Sequence, residues 1–162
     1  MPSFEWIEKL AKDELKSEET GQVDYYGTLD QTILLEEQTK GFLRELKSIA
    51  QEMTITFNAY RGDRHALKVF HISNSESDFM VFRNSLKLIF SYEKPGEISI
   101  SFLAVRAGLL EEKMKHDQKQ GDVIRATLGP FHDAIWHFRD HLVNPQTLMR
   151  YYLTEFIKNS VS

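Results

Sequence analysis

Residues 130–143, Pro-Phe-His-Asp-Ala-Ile-Trp-His-Phe-Arg-Asp-His-Leu-Val, hold three of the six histidines of this 162-residue chain, with two aspartates and an arginine. What chemistry they could do depends on their period. On a helix, Asp133, His137 and His141 stack at four-residue spacing, and two imidazoles one turn apart can share a metal with a carboxylate from the previous turn. On a strand, Ala134, Trp136 and Phe138 point one way and His137, Arg139 and His141 the other, which sets the two imidazoles roughly 13 Å apart and destroys the chelate. Both periods fit the segment about equally. No His-Glu-x-x-His signature is present, and a solvated polar face is the more frequent meaning of such spacing. Asp133, His137 and His141 are therefore the metal candidates, and zinc the metal to try.

The second candidate set is aromatic. Eleven phenylalanines, six tyrosines and two tryptophans exceed what many cores of this size require. Aromatic residues beyond the needs of the core tend to line pockets or interfaces, and tryptophan and arginine are the side chains most enriched at interface hot spots. Trp136, Arg139 and Tyr151 are the binding candidates on that ground. Catalytic candidates are lacking: the chain has no cysteine, no nucleophile elbow, no phosphate-binding glycine loop and no dinucleotide fingerprint. No catalytic residue and no cofactor are expected.

Composition narrows the class further. With 41% hydrophobic and 27% charged residues the chain has the balance of a soluble globular domain, and its length suits one domain spanning 1–162. The opening Met1-Pro2-Ser3-Phe4-Glu5 lacks the basic start and apolar run of a signal peptide, and no apolar stretch is long enough to span a bilayer. No membrane association and a cytoplasmic location are the expectation. A net charge of −4 with interspersed signs offers nothing broad to a phosphate backbone, so nucleic acid is not expected; a local patch of Arg61, Arg64 and Arg83 is the one route to it.

Several elements must position these residues. Ser3 can cap an amphipathic helix through about Lys16, and a longer helix should run from about Asp30 to about Met53, where Leu35, Phe42, Leu46, Ile49 and Met53 recur at helical spacing. Gly41 inside it suggests a close contact. Strands are expected at 66–72, at 79–94 as one strand with a bulge near Asn84 in preference to two short ones with Asn84 in the turn, at 97–102 across a Pro95-Gly96 turn, and at 123–128. Residues 109–115 have helical composition. Asn144 as cap and Pro145 at the first helical position open a C-terminal helix with Leu148, Tyr152, Leu153, Phe156 and Ile157 on one stripe.

These elements make an α+β fold, an antiparallel meander of three to six strands flanked by an N-terminal helix pair and a C-terminal helix. Alternation puts Leu86, Leu88, Phe90 and Tyr92 on a covered face. The opposite face, with Lys87, Ile89 and Ser91 beside Ser99, Ser101 and Leu103, is mixed, neither plainly solvated nor plainly core. The functional expectation is a non-catalytic binding or adaptor protein that meets a protein partner, a second copy of itself included, through that sheet face or a sheet edge. The alternative is a small-molecule or metal-binding domain, enzymatic in one version, built on residues 130–143.

Overall fold

A computed structural model describes residues 4–21, 30–104 and 121–161 of the chain. Helix α1 spans Glu5–Thr20 and α2 spans Gln31–Arg61; a short 3₁₀ turn at Asp63–His65 then leads into the sheet. The strands are β1 (Lys68–His71), β2 (Phe79–Arg83), β3 (Leu86–Lys94), β4 (Glu97–Ala104), β5 (Asp122–Leu128), β6 (Ala134–Phe138) and β7 (His141–Leu142), and α3 (Pro145–Asn159) follows. All seven strands lie in one antiparallel sheet in chain order. The α+β class and the antiparallel meander are as expected; the strand count among the described residues is seven, not three to six. No helix among the described residues is long and apolar enough to cross a membrane.

Three local features account for the extra strands and longer helices. Asn84 and Ser85 both have positive φ, 49° and 67°, which makes a two-residue type I′ turn of what looks like a bulge and separates β2 from β3. Arg139 and Asp140, at 47° and 66°, make the same kind of turn between β6 and β7. Residues 130–143 are thus a hairpin rather than a helix. Helix α2 continues past Met53 because Ala50, Met53, Thr54 and Phe57 keep a helical spacing on the core side, while Thr54 and Thr56 donate their hydroxyls to the carbonyls of Gln51 and Glu52 at 3.0 and 3.2 Å. The segments 22–29 and 105–120, including the helical expectation at 109–115, lie outside the described residues, as does Ser3.

Helices α2 and α3 cover one sheet face. Cross-strand register puts Phe79, Phe90 and Ile100 in one row, Val81, Leu88 and Phe102 in the next, and Ile98 beside Ile124 in a third. Most of these are fully buried against Leu43, Leu46, Met149 and Phe156 from the two helices. Phe79 and Phe90 stack at 4.7 Å between ring centroids, and Phe42 of α2 stacks on Trp136 of β6 at 4.8 Å. The start of α2 is locked to the sheet by two side chains. Thr39 accepts the Gly96 amide at 2.9 Å, and Gln38 donates to the His132 carbonyl at 2.6 Å while accepting from the Ala134 amide. Gly96 has φ of 82°, and a Cβ there would come within 3.0 Å of the Ala126 carbonyl, so the turn after Pro95 needs glycine.

Gly41 differs from its sequence-based expectation. A Cβ at this helical position meets nothing within 4 Å, so no close contact explains the glycine. Gly41→Ala is therefore expected to stabilise the fold by about 0.5–1 kcal/mol, the helix-propensity difference with no steric cost. Urea denaturation checks this; a lower midpoint at unchanged slope contradicts it.

Candidate functional site

Where the β6–β7 hairpin folds back toward α3, it closes a cleft of about 460 Å³. Its chemistry comes from three places. Asp122 stands at the start of β5, Phe138, Arg139 and His141 belong to the hairpin, and Tyr151 and Tyr152 project from the second turn of α3. The type I′ turn presents Arg139 at the hairpin tip, its guanidinium 5.1 Å from the centre of the Phe138 ring. Tyr151 is 60% exposed and leans edge-on against Tyr152 at 5.2 Å.

Tyr152 is the fixed wall. Its hydroxyl donates to Asp122 Oδ2 at 2.6 Å, and burial, reinforced by the Asp122 carboxylate, holds the phenol protonated far above the ordinary tyrosine range. It serves as a donor, not a base. At the mouth, Asn144 caps α3 by accepting from the amides of Gln146 and Thr147 at 2.9 and 3.2 Å, so the cap itself occupies those helix-terminal donors. A half-apolar cleft with one arginine, one histidine and an occupied carboxylate is equipped to recognise a ligand.

The six sequence candidates are thus split. Arg139, Tyr151 and His141 converge on the cleft. Trp136 is 5% exposed, stacked on Phe42 in the core, and only borders a separate open groove beside α2. Asp133 sits in the β5–β6 turn, its carbonyl accepting the Gly129 amide at 2.7 Å. His137 pairs with Leu142 and His141 with Phe138, successive positions that face opposite sides of the sheet. The one-turn spacing of a helix, on which the shared chelate depends, is not formed. Among the described residues no group of three or more His, Asp or Glu is placed to hold a metal ion.

The arginine patch loses one of its three members to the interior. Arg83 is 6% exposed, and its guanidinium donates to Ser160 Oγ and the Ile157 carbonyl at 2.9 Å and to the His65 carbonyl at 3.3 Å. That group is spent on structure.

The second face of the sheet carries the larger feature. Register aligns Phe70, Met80, Ile89 and Ser101 in one cross-strand row and Lys68, Phe82, Lys87 and Leu103 in the next. None of these packs against the core cluster that the helices cover. Phe70 and Phe82 are ring neighbours at 6.5 Å, and Phe70 is 42% exposed. Strand alternation marks Ile89 and Leu103 directly, whereas Phe70, Met80 and Phe82 join them only through pairing. The unbroken apolar run Phe79-Met-Val-Phe82 is the one sequence signal that both faces of β2 are apolar.

No family model, no curated protein and no solved structure matches the chain.

Proposed function

We propose that this chain is a non-catalytic binding protein that holds a protein partner on the open face of its sheet. The observation that carries this is the set Phe70, Met80, Phe82, Ile89 and Leu103, which lies outside the core cluster, with Lys68 at its edge and Lys87 between Phe82 and Leu103. An apolar centre with a polar and charged margin is the anatomy of an association surface, and a sheet face that serves only solvent has little use for two adjacent phenylalanines. Strand β1 extends the surface to a sheet edge that no further strand among the described residues pairs with.

A second reading has its own observation, the cleft that gathers Arg139, His141 and Tyr151. Its size and mixed lining suit a small molecule with a flat or anionic part. One experiment separates the two. The tagged full chain is compared with Phe82→Glu, Lys87→Glu and Arg139→Ala for the proteins it retains from its own cell, with circular dichroism checking each fold. Loss of the same partner from both face variants and its retention by Arg139→Ala is the expected result. Equal retention by all three overturns the face reading, and loss with Arg139→Ala alone transfers the function to the cleft.

A further inference from the structure

Helix α1 has an apolar stripe that the other described residues leave largely exposed. Phe4, Ile7, Ala11 and Leu15 recur at three- and four-residue spacing, with Trp6 and Leu10 widening the stripe on one flank. None of the helix residues is buried, and Phe4, Trp6, Ile7 and Leu15 are between 45% and 66% exposed. Helix charges are distributed unevenly around this stripe. Glu14 and Glu18 follow Ile7 and Ala11 by seven residues, which returns them to the same side, whereas Lys9, Lys12 and Lys16 lie on the other side, with Glu5 and Glu19 among them.

The open sheet face has the complementary pattern. Its apolar residues lie in two rows, and Lys68 and Lys87 flank Phe82 in one of them. Neither these two lysines nor Glu14 and Glu18 form an ion pair among the described residues. The sizes agree as well. Sixteen helical residues extend about 24 Å, and the three gaps between β1 and β4 extend about 14 Å, so one helix covers the patch and carries its acidic turns to the lysine row.

We infer that the partner of the open face is a second copy of this chain, whose α1 lies across β1–β4 with Glu14 and Glu18 toward Lys68 and Lys87, the exchange being mutual about a two-fold axis. The inference rests on the reading of that face as a protein-binding surface. Mutual exchange covers two helix stripes and two sheet faces in a single closed interface, which a one-sided contact does not achieve. Charges of opposite sign fix the direction in which the helix lies, since reversing it carries the acidic turns away from the lysines.

Light scattering and acrylamide quenching of the full chain from low to high micromolar concentration test this. Trp136 is buried, so quenching reports chiefly on Trp6. Dimer formation with a parallel fall in Trp6 quenching is expected. Ile7→Glu and Phe82→Glu should each weaken the dimer about tenfold or more, the scale of one lost apolar anchor. Glu14→Lys should weaken it too, and adding Lys87→Glu to the same chain should recover part of the loss. Lys12→Glu, on the far side of α1, should not weaken it. A monomer at every concentration with Trp6 fully quenched overturns the inference. So does a monomer with Trp6 shielded throughout, which puts the helix on its own sheet, and so does a dimer indifferent to Phe82→Glu and Lys87→Glu. Failure of the α1 variants alone leaves the face reading standing if Phe82→Glu still loses a different retained partner; both fall if the face variants change nothing.

Discussion

Phe90→Ala should cost about 4 kcal/mol of folding stability, the largest single-residue effect expected in this chain. Phe90 lies on β3, the strand between the β2 and β4 pairings, and none of its surface is exposed. It stacks on Phe79 at 4.7 Å with the rings 6° from parallel, and meets Tyr152 edge-on at 6.3 Å and 81°. Truncation removes the apolar transfer energy of the ring, two aromatic contacts and the support of two neighbours that have no room to collapse into the void. Its consequences extend to the cleft, because Tyr152 loses the ring that fixes it while keeping its hydrogen bond to Asp122. Guanidinium denaturation should give the lower stability at an unchanged slope, with a fall in melting temperature of roughly 10 °C for a chain of this size. Phe90→Leu, which keeps most of the volume, should cost less than half as much. A loss below about 1 kcal/mol for the alanine variant would mean that the stack carries little energy and that the core is organised elsewhere.

The parts of the fold that were legible in the sequence are those in which local chemistry and tertiary demand agree. The Pro95-Gly96 turn, the alternation of β3 and β4, and the Asn144-Pro145 opening of α3 each have one physical reading, and each forms. Residues 130–143 have two. Their apolar positions satisfy both periods, and the turn that decides between them is made by Arg139 and Asp140 in left-handed conformation, without the glycine or asparagine that usually announces it. Ile55, Phe57 and Ala59 alternate as on a strand but equally suit the end of the preceding helix; the helix forms, and Ile55 is 69% exposed on it, so the alternation does not trace a buried face. The cleft could not be read at all from spacing. Arg139 and Tyr151 were singled out by residue type, but Asp122 and Tyr152 join them only because the β6–β7 hairpin and α3 bring distant segments together. The open face was half legible: alternation reveals which side of one strand is apolar, whereas the width of a patch depends on register between strands.

Removing Arg83 should produce the second large effect, and comparing two substitutions separates its causes. The guanidinium joins three parts of the chain: the 3₁₀ turn through the His65 carbonyl, the end of α3 through the Ile157 carbonyl, and the segment after α3 through Ser160 Oγ. The last carbonyls of a helix have no intrahelical partner, so Arg83 supplies from β2 one of the donors that the end of α3 lacks. Its ring neighbour is Phe57, with the guanidinium carbon 5.4 Å from the centroid. Burial, with a smaller contribution from Arg61, lowers the tendency of the guanidinium to hold its proton, but an arginine begins so high that it stays charged. Burying that charge is costly in itself, so a neutral side chain regains some desolvation energy. The acceptors, however, include two backbone carbonyls that no side-chain substitution removes. Arg83→Met keeps most of the packing against Phe57 but leaves the His65 carbonyl without its guanidinium donor and the Ile157 carbonyl with only the Ser160 hydroxyl at 3.3 Å, for an expected loss of about 2 kcal/mol; Arg83→Ala also loses the packing, for about 3 kcal/mol. Arg83→Lys retains a charge but not the fork that reaches three acceptors at once, and should fall near the methionine variant rather than near the native chain. Hydrogen exchange provides the local readout, since amides near Ile157–Ser160 should lose protection before those of β3 and β4. Equal stability of the methionine variant and the native chain would show that the desolvation regained equals the bonds lost, and that α3 is held by its apolar stripe alone.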